Sequence, residues 1–355
     1  MRDVLDMQPQ GTQGTETAQS TQAMDAPLTC RTPRNECAKP KGHVFGWLCP
    51  LLFYVATWGS TTLIGAGYSN GGFWSGLWFS VPLMVILTCH EMGHYLQTRR
   101  YGVRSSWPFF IPIPFPPFGT LGAIISMDCS IPSTRVLFDI GITGPLAGLV
   151  PTLVFLVLGM SLSFVGEVQL GENSLVFGEP LIFRWVASLF FDLGKPGTDI
   201  VLHPIGMAAW TGLFLTSLNL FPLGQLDGGH VLYALLKRRA IWIARLLMVG
   251  IGLYICMGHW QWIVMFILVA WLGIGHPPTR KDYVPLGTLR TVLGWLALLF
   301  VIIGFTPNPV SIPDPPVRKP LYAQTMEQVP TVVAAESVNC DQCPNLAQER
   351  VPWLR

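Results

Sequence analysis

The chain has 355 residues, 50% of them hydrophobic and 12% charged, with a formal net charge of +2. Soluble domains carry about 25% charged residues, so the composition excludes an ordinary soluble enzyme. The near-neutral balance gives no footing for a nucleic-acid partner. Residues 1–43 are rich in Gln, Thr, Ser, Gly and Pro. They offer too little apolar surface to offset the entropy of ordering, and read as a disordered cytoplasmic segment. They contain no secretory signal, and Asp3, Asp6, Glu16 and Asp25 argue against a transit peptide. Long apolar runs then predict membrane spans near 44–66, 73–97, 136–160, 203–223, 241–257, 259–275 and 287–305. Residues 44–305 thus read as one all-α polytopic membrane domain of six or seven transmembrane helices. A flexible Pro-rich tail follows at 306–355.

The segment after the second span departs from this pattern. Pro108, Pro112, Pro114, Pro116 and Pro117 forbid a regular helix, yet the stretch is almost wholly apolar. Pro108–Phe118 is expected to be extended, with a turn at Gly119–Gly122 leading into a strand at Ala123–Met127. Non-helical backbone at membrane depth is tolerated only when buried in protein or lining a cavity. The segment is therefore read as a re-entrant β-hairpin rather than a loop in the headgroups.

Basic residues near the span ends set the orientation. Arg31, Arg34, Lys39 and Lys41 precede the first span; Arg99, Arg100 and Arg104 follow the second; Lys237, Arg238 and Arg239 follow the fourth; Arg280 and Lys281 follow the sixth. All fall on one side if the N-terminus is cytoplasmic and the spans alternate. The chain is expected to be an integral multi-pass protein of a bacterial cytoplasmic membrane, with a plastid-type membrane as the alternative. Of the eight cysteines, Cys49, Cys89, Cys129 and Cys256 read as small apolar packing groups. Cys340 and Cys343 form a C-x-x-C in the tail, read as a disulfide, half a zinc site or neither; Cys30 and Cys37 lie near the N-terminus.

Within the second span the sequence reads His90-Glu91-Met92-Gly93-His94. Residues four apart on a helix share a face, so the two imidazoles can bind one zinc ion. The intervening Glu91 can act as general base toward a metal-activated water. Ionisable groups inside an apolar span are costly and mark function. A zinc site needs a third protein ligand. His43, His203, His230, His259, His276, Asp139 and Asp227 are the candidates. The charge-derived orientation puts Asp227 at a depth similar to His94 and puts His203 at the opposite face. Asp227 is favoured and His230 stays open as a substitute. Asp139 is expected to fix a span end or pair with Arg135. Gly141, Gly144 and Gly148 recur on one face of the third span and read as helix packing.

These motifs resemble the site-2 protease family of intramembrane zinc metalloproteases. HEMGH at 90–94 is similar to the family's H-E-x-x-H, and NLFPLGQLDGGH at 219–230 to its N-x-x-P-x-x-x-L-D-G, at Asn219, Pro222, Leu226, Asp227 and Gly228. FGTLGA at 118–123 and Gly144-Pro145 are further landmarks, and the resemblance covers about 44–285, in the compact branch without an inserted PDZ domain. The resemblance implies His90, His94 and Asp227 as ligands of one Zn2+ per chain, Glu91 as base and Asn219 as a substrate-positioning amide. It implies transmembrane proteins as substrates, leaving the oligomeric state open. Pro222 and Gly228-Gly229 are expected to break the helix around Asp227. A helical substrate must unwind before cleavage, and an edge strand around Gly122, Ala123, Ile124 and on to Ser126 can pair with it. The rival readings are a non-catalytic membrane metal-binding or transport protein, an inactive relative, and a membrane-anchored zincin acting on soluble peptides.

Overall fold

Two apolar runs without an internal charge cluster open the structure as helices α1 (Phe45–Gly67) and α2 (Gly72–Arg100). The structure is a computed structural model, and it describes residues 45–68, 72–127, 131–167, 176–192, 198–273, 279 and 283–311. Strands β1 (Phe109–Pro112) and β2 (Thr120–Ile124) follow, then α3 (Thr134–Ser161), started by the Ser133 hydroxyl accepting from Val136 N–H. Next come β3 (Phe164–Glu167), β4 (Val176–Phe177), α4 (Leu181–Phe190) and β5 (Thr198–Val201). Helices α5 (Pro204–Asn219), α6 (Asp227–Leu236), α7 (Ala240–Cys256), α8 (Ile263–Leu272) and α9 (Thr288–Gly304) complete the bundle before β6 (Val310–Ser311).

Among the described residues the protein is thus mostly helical with three small antiparallel sheets, β1–β2, β3–β5 and β4–β6. Among the described residues four helices are long and apolar enough to cross a membrane: Gly46–Gly67, Gly72–Arg100, Thr134–Ser161 and Asp227–Cys256. The expected spans near 203–223, 259–275 and 287–305 are shorter helices. The 16 residues of α5 rise about 24 Å, short of a hydrocarbon core of about 30 Å. The fold centres on α2, α3 and α5, which pack on one another, with α6 against α3. The loop 161–202 also carries α4, which sequence reading passed over. Its Phe183 and Ala187 pack on Leu156, Met160 and Trp210.

The Pro-rich segment does form a hairpin, but its second strand begins earlier than expected. Phe109 pairs with Ile124, Phe110 with Ala123 and Pro112 with Thr120, with an irregularity between Phe110 and Pro112. Thr120–Gly122 therefore belong to the strand; of the expected turn only Gly119, at φ +77, lies in the connection, which bends at 115–119 where the chain was expected to stay extended to Phe118. Met127 adds an isolated bridge to Ser105 at the base, where Ser105 Oγ also lies 2.7 Å from Thr98 Oγ1 of α2. The tip is held elsewhere. Ser60 Oγ of α1 donates to Gly119 O, Tyr68 OH donates to Pro117 O, and Phe118 stacks on Trp210 and Phe214 of α5.

The first residues of the expected tail are ordered: Val310 and Ser311 pair with Phe177 and Val176. Cys49, Cys89 and Cys256 are free thiols. Cys30, Cys37, Cys129, Cys340 and Cys343 lie outside the described residues, as do the N-terminal segment to residue 44 and the tail beyond 311.

Candidate metal centre

Helix α2 delivers both motif histidines to one buried face. His90 is 3% exposed, Glu91 5% and His94 7%. The two Nε2 atoms lie 3.2 Å apart. The third group comes from the break between α5 and α6. The helical bond pattern stops at Leu220, Gly224 adopts φ +53, and α6 restarts at Asp227 in its first turn. Asp227 Oδ2 then stands 3.1 Å from His90 Nε2 and 3.2 Å from His94 Nε2. The break therefore precedes Asp227. Gly228 and Gly229, expected to help make it, lie inside α6 instead. A Cβ on Gly228 would fall 1.9 Å from Leu220 O, so this glycine lets α6 sit against the broken segment.

The donor set fits a tetrahedral zinc ion. Ligand bonds of about 2.05 Å at the tetrahedral angle separate ligand atoms by about 3.3 Å, close to the three separations found here. The protonation pattern agrees. His94 Nδ1 lies 2.7 Å from Ile140 O, a carbonyl that only accepts, so Nδ1 carries the proton and Nε2 presents a lone pair. Asn219 Nδ2 lies 3.3 Å from His90 Nε2 and faces it with an N–H. Lone pairs of His94, His90 and a carboxylate all converge; such a set repels itself unless a cation bridges it. Among the described residues His90, His94 and Asp227 form one group able to hold a metal ion, with ligand atoms within 4.8 Å of one another.

Helix α3 makes the room. A Cβ on Gly144 would lie 1.9 Å from His94 Nε2, and one on Gly148 2.9 Å from His90 Cβ. The small-residue face read as packing is the wall of the metal centre. Its signal was visible as the i, i+3, i+7 spacing, but not its object. The Ile140 carbonyl was also missed, because a backbone acceptor carries no sequence signature.

The other sequence candidates fall elsewhere. His230 is buried against Gly141 and is not one of the converging groups. His203 caps α5, its Nδ1 accepting from Ile205 N–H at 3.3 Å. Burial holds its imidazole below the ordinary pKa. Asp139 does not pair with Arg135, whose Nε donates to Pro285 O. It accepts from Arg290 of α9 instead, Nε to Oδ1 at 2.7 Å and Nη2 to Oδ2 at 3.0 Å. Gly122, Ala123 and Ile124 sit on β2, which packs beside α2, and not in the metal group.

Peptidase family M50 matches residues 78–258, a stretch that holds both motifs. The chain belongs to peptidase family M50, the site-2 protease family. Curated relatives include the probable zinc metalloprotease EGY2, chloroplastic, of Arabidopsis thaliana, 28% identical over 63% of this chain and 42% of its own length. The probable zinc metalloprotease EGY1, chloroplastic, of Oryza sativa subsp. japonica is 29% identical over 63% of this chain and 39% of its own. The probable zinc metalloprotease EGY3, chloroplastic, of Oryza sativa subsp. indica is 26% identical over 74% and 48%. The chain thus spans less than half the length of these three relatives. No solved structure matches. The apolar helices and the family make this a multi-pass membrane protein. The bacterial cytoplasmic membrane expected from sequence finds no support, since these relatives are chloroplastic.

Proposed function

We propose that the chain is an intramembrane zinc metalloendopeptidase that hydrolyses peptide bonds in or near transmembrane segments of membrane proteins. The observation that carries this reading is the approach of His90 Nε2, His94 Nε2 and Asp227 Oδ2 to within 3.1–3.2 Å on a buried helix face beside Glu91. His90, His94 and Asp227 would hold one Zn2+. The ion supplies Lewis acidity, polarising a carbonyl and acidifying a water near neutral pH. Glu91 takes the proton from the attacking water on its carboxylate and returns it to the leaving amine. Asn219 directs its amide N–H into the same space, where it donates to the carbonyl oxygen as negative charge builds there. Burial of His90, Glu91 and His94 strengthens each of these interactions.

The hairpin presents the substrate. Its base is tied to the end of α2, and its tip lies against Tyr68, just past the far end of α1, and against Trp210 and Phe214 midway along α5. That path through the depth of the bundle supports a re-entrant segment. Strand β2 pairs with β1 on one side only among the described residues. Its other edge, around Gly122, Ala123 and Ile124, is offered to an unwound substrate strand. A seventh span is supported by α9. Arg290 at its start meets Tyr101 and Asp139 at one end of the bundle, and β6 beyond its end pairs with β4 at the other.

The test compares the purified full chain with Glu91→Gln, on a single-span substrate, with zinc content measured for both. Both should hold one zinc per chain and only the wild type should cleave. Equal cleavage by both, or a wild type without zinc, overturns the reading. Zinc in both with cleavage by neither supports metal binding or transport instead.

A further inference from the structure

The metal ligands lie on α2 and α6, yet the groups that hold them in register reach to α9, beyond the matched region 78–258. Asp139 is 9% exposed in the second turn of α3. Its two oxygens meet the Arg290 guanidinium as a parallel pair, and Oδ2 also accepts from Tyr101 OH at 2.5 Å. The next residue is Ile140, whose carbonyl holds His94 Nδ1 at 2.7 Å. Helix α9 touches the other ligand-bearing side too. Phe138 and Ile142 of α3, Val231 of α6, Leu220 of the break, and Ala297 and Val301 of α9 form one buried cluster. Gly294 of α9 comes so close that an added Cβ would lie 2.8 Å from Phe138.

We infer that Arg290, through its ion pair with Asp139, is a positioning residue of the metal centre. It fixes the start of α3 between the end of α2 and the start of α9, and so fixes the Ile140 carbonyl that orients the His94 imidazole. The two-point guanidinium contact and the phenol supply hydrogen bonds to both oxygens of this buried carboxylate. Removing the guanidinium leaves an unpaired buried charge, and the first turns of α3 shift to bring it to water. His94 then loses the alignment of its Nδ1–H bond, and its Nε2 lone pair turns away from His90 and Asp227. A lysine at 290 keeps the charge but not the parallel fork. The inference rests on the zinc site of the proposed function.

The experiment measures zinc retention, not cleavage. Full-length wild type, Arg290→Gln, Arg290→Lys and Arg184→Gln are loaded with zinc and challenged with a chelator; the cobalt-substituted forms are followed by their visible spectra. Changes to groups that orient metal ligands cost about 10–100-fold in affinity. Arg290→Gln should lose zinc about tenfold faster and change the cobalt spectrum, with Arg290→Lys intermediate. Arg184→Gln breaks an exposed pair with Glu179, 3.6 Å long and outside this network, and should match wild type. Wild-type zinc retention and spectrum in a folded Arg290→Gln, or in Arg290→Lys should the glutamine variant not fold, overturn the inference. A wild type that binds no zinc removes the proposed function along with it.

Discussion

Gly144 offers a sharp test of the site geometry. The hydrogen that stands in place of a side chain faces His94, and an alanine Cβ would sit 1.9 Å from Nε2, 2.3 Å from Cε1 and 2.4 Å from Cδ2. Uncharged heavy atoms settle at about 3.5 Å, so the ring must retreat by roughly 1.6 Å at the atom proposed to bind zinc. The backbone cannot easily give, because α2 and α3 pack along their length and Gly93 of α2 already lies against Thr143. The imidazole cannot easily turn, because Nδ1 is held by Ile140 O. Ligand distances tolerate deviations of about 0.2 Å, so the displacement removes His94 from the ligand set. Gly144→Ala should lower zinc affinity by at least about 100-fold, above the range of outer contacts, and overpacking should cost about 1–3 kcal/mol of stability. Gly148→Ala, with its nearest contact 2.9 Å away at His90 Cβ, should do so more mildly. Gly59→Ala in α1 meets nothing within 4 Å and serves as the control. Chelator competition and thermal unfolding in detergent read both effects. Wild-type zinc affinity in Gly144→Ala would refute the claim that this glycine makes the space for His94.

Two further outcomes follow from the same geometry. Asp227→Ala should abolish stoichiometric zinc, measured by metal analysis, whereas His230→Ala should retain it, because His230 lies against Gly141 outside the converging group; the reverse result would move the third ligand. Ala123→Pro removes a backbone donor from β2, opposite Phe110, and should cut cleavage of a single-span substrate while zinc stays bound. Undiminished cleavage would rule out substrate pairing along this strand.

Features that depend on helical period and local chain chemistry are legible along the chain. HEMGH places two imidazoles on one face because 3.6 residues make a turn, whatever surrounds the helix. Five prolines between 108 and 117 exclude a helix there, and the hairpin formed, though its strand start moved from Ala123 to Thr120. The distribution of charge picked Asp227 over His203, since depth in a membrane is written into the flanking arginines and lysines. Tertiary structure decided which groups meet. Arg135, one turn from Asp139, looked like its partner; the partner is Arg290, far along the chain, because α9 returns to the same end of the bundle. The spacing of Gly141, Gly144 and Gly148 announced a close approach but not that two of the side chains approaching are His90 and His94. Helical period is local and can be read from one segment. Which faces come together depends on how every helix packs, and no single segment carries that information.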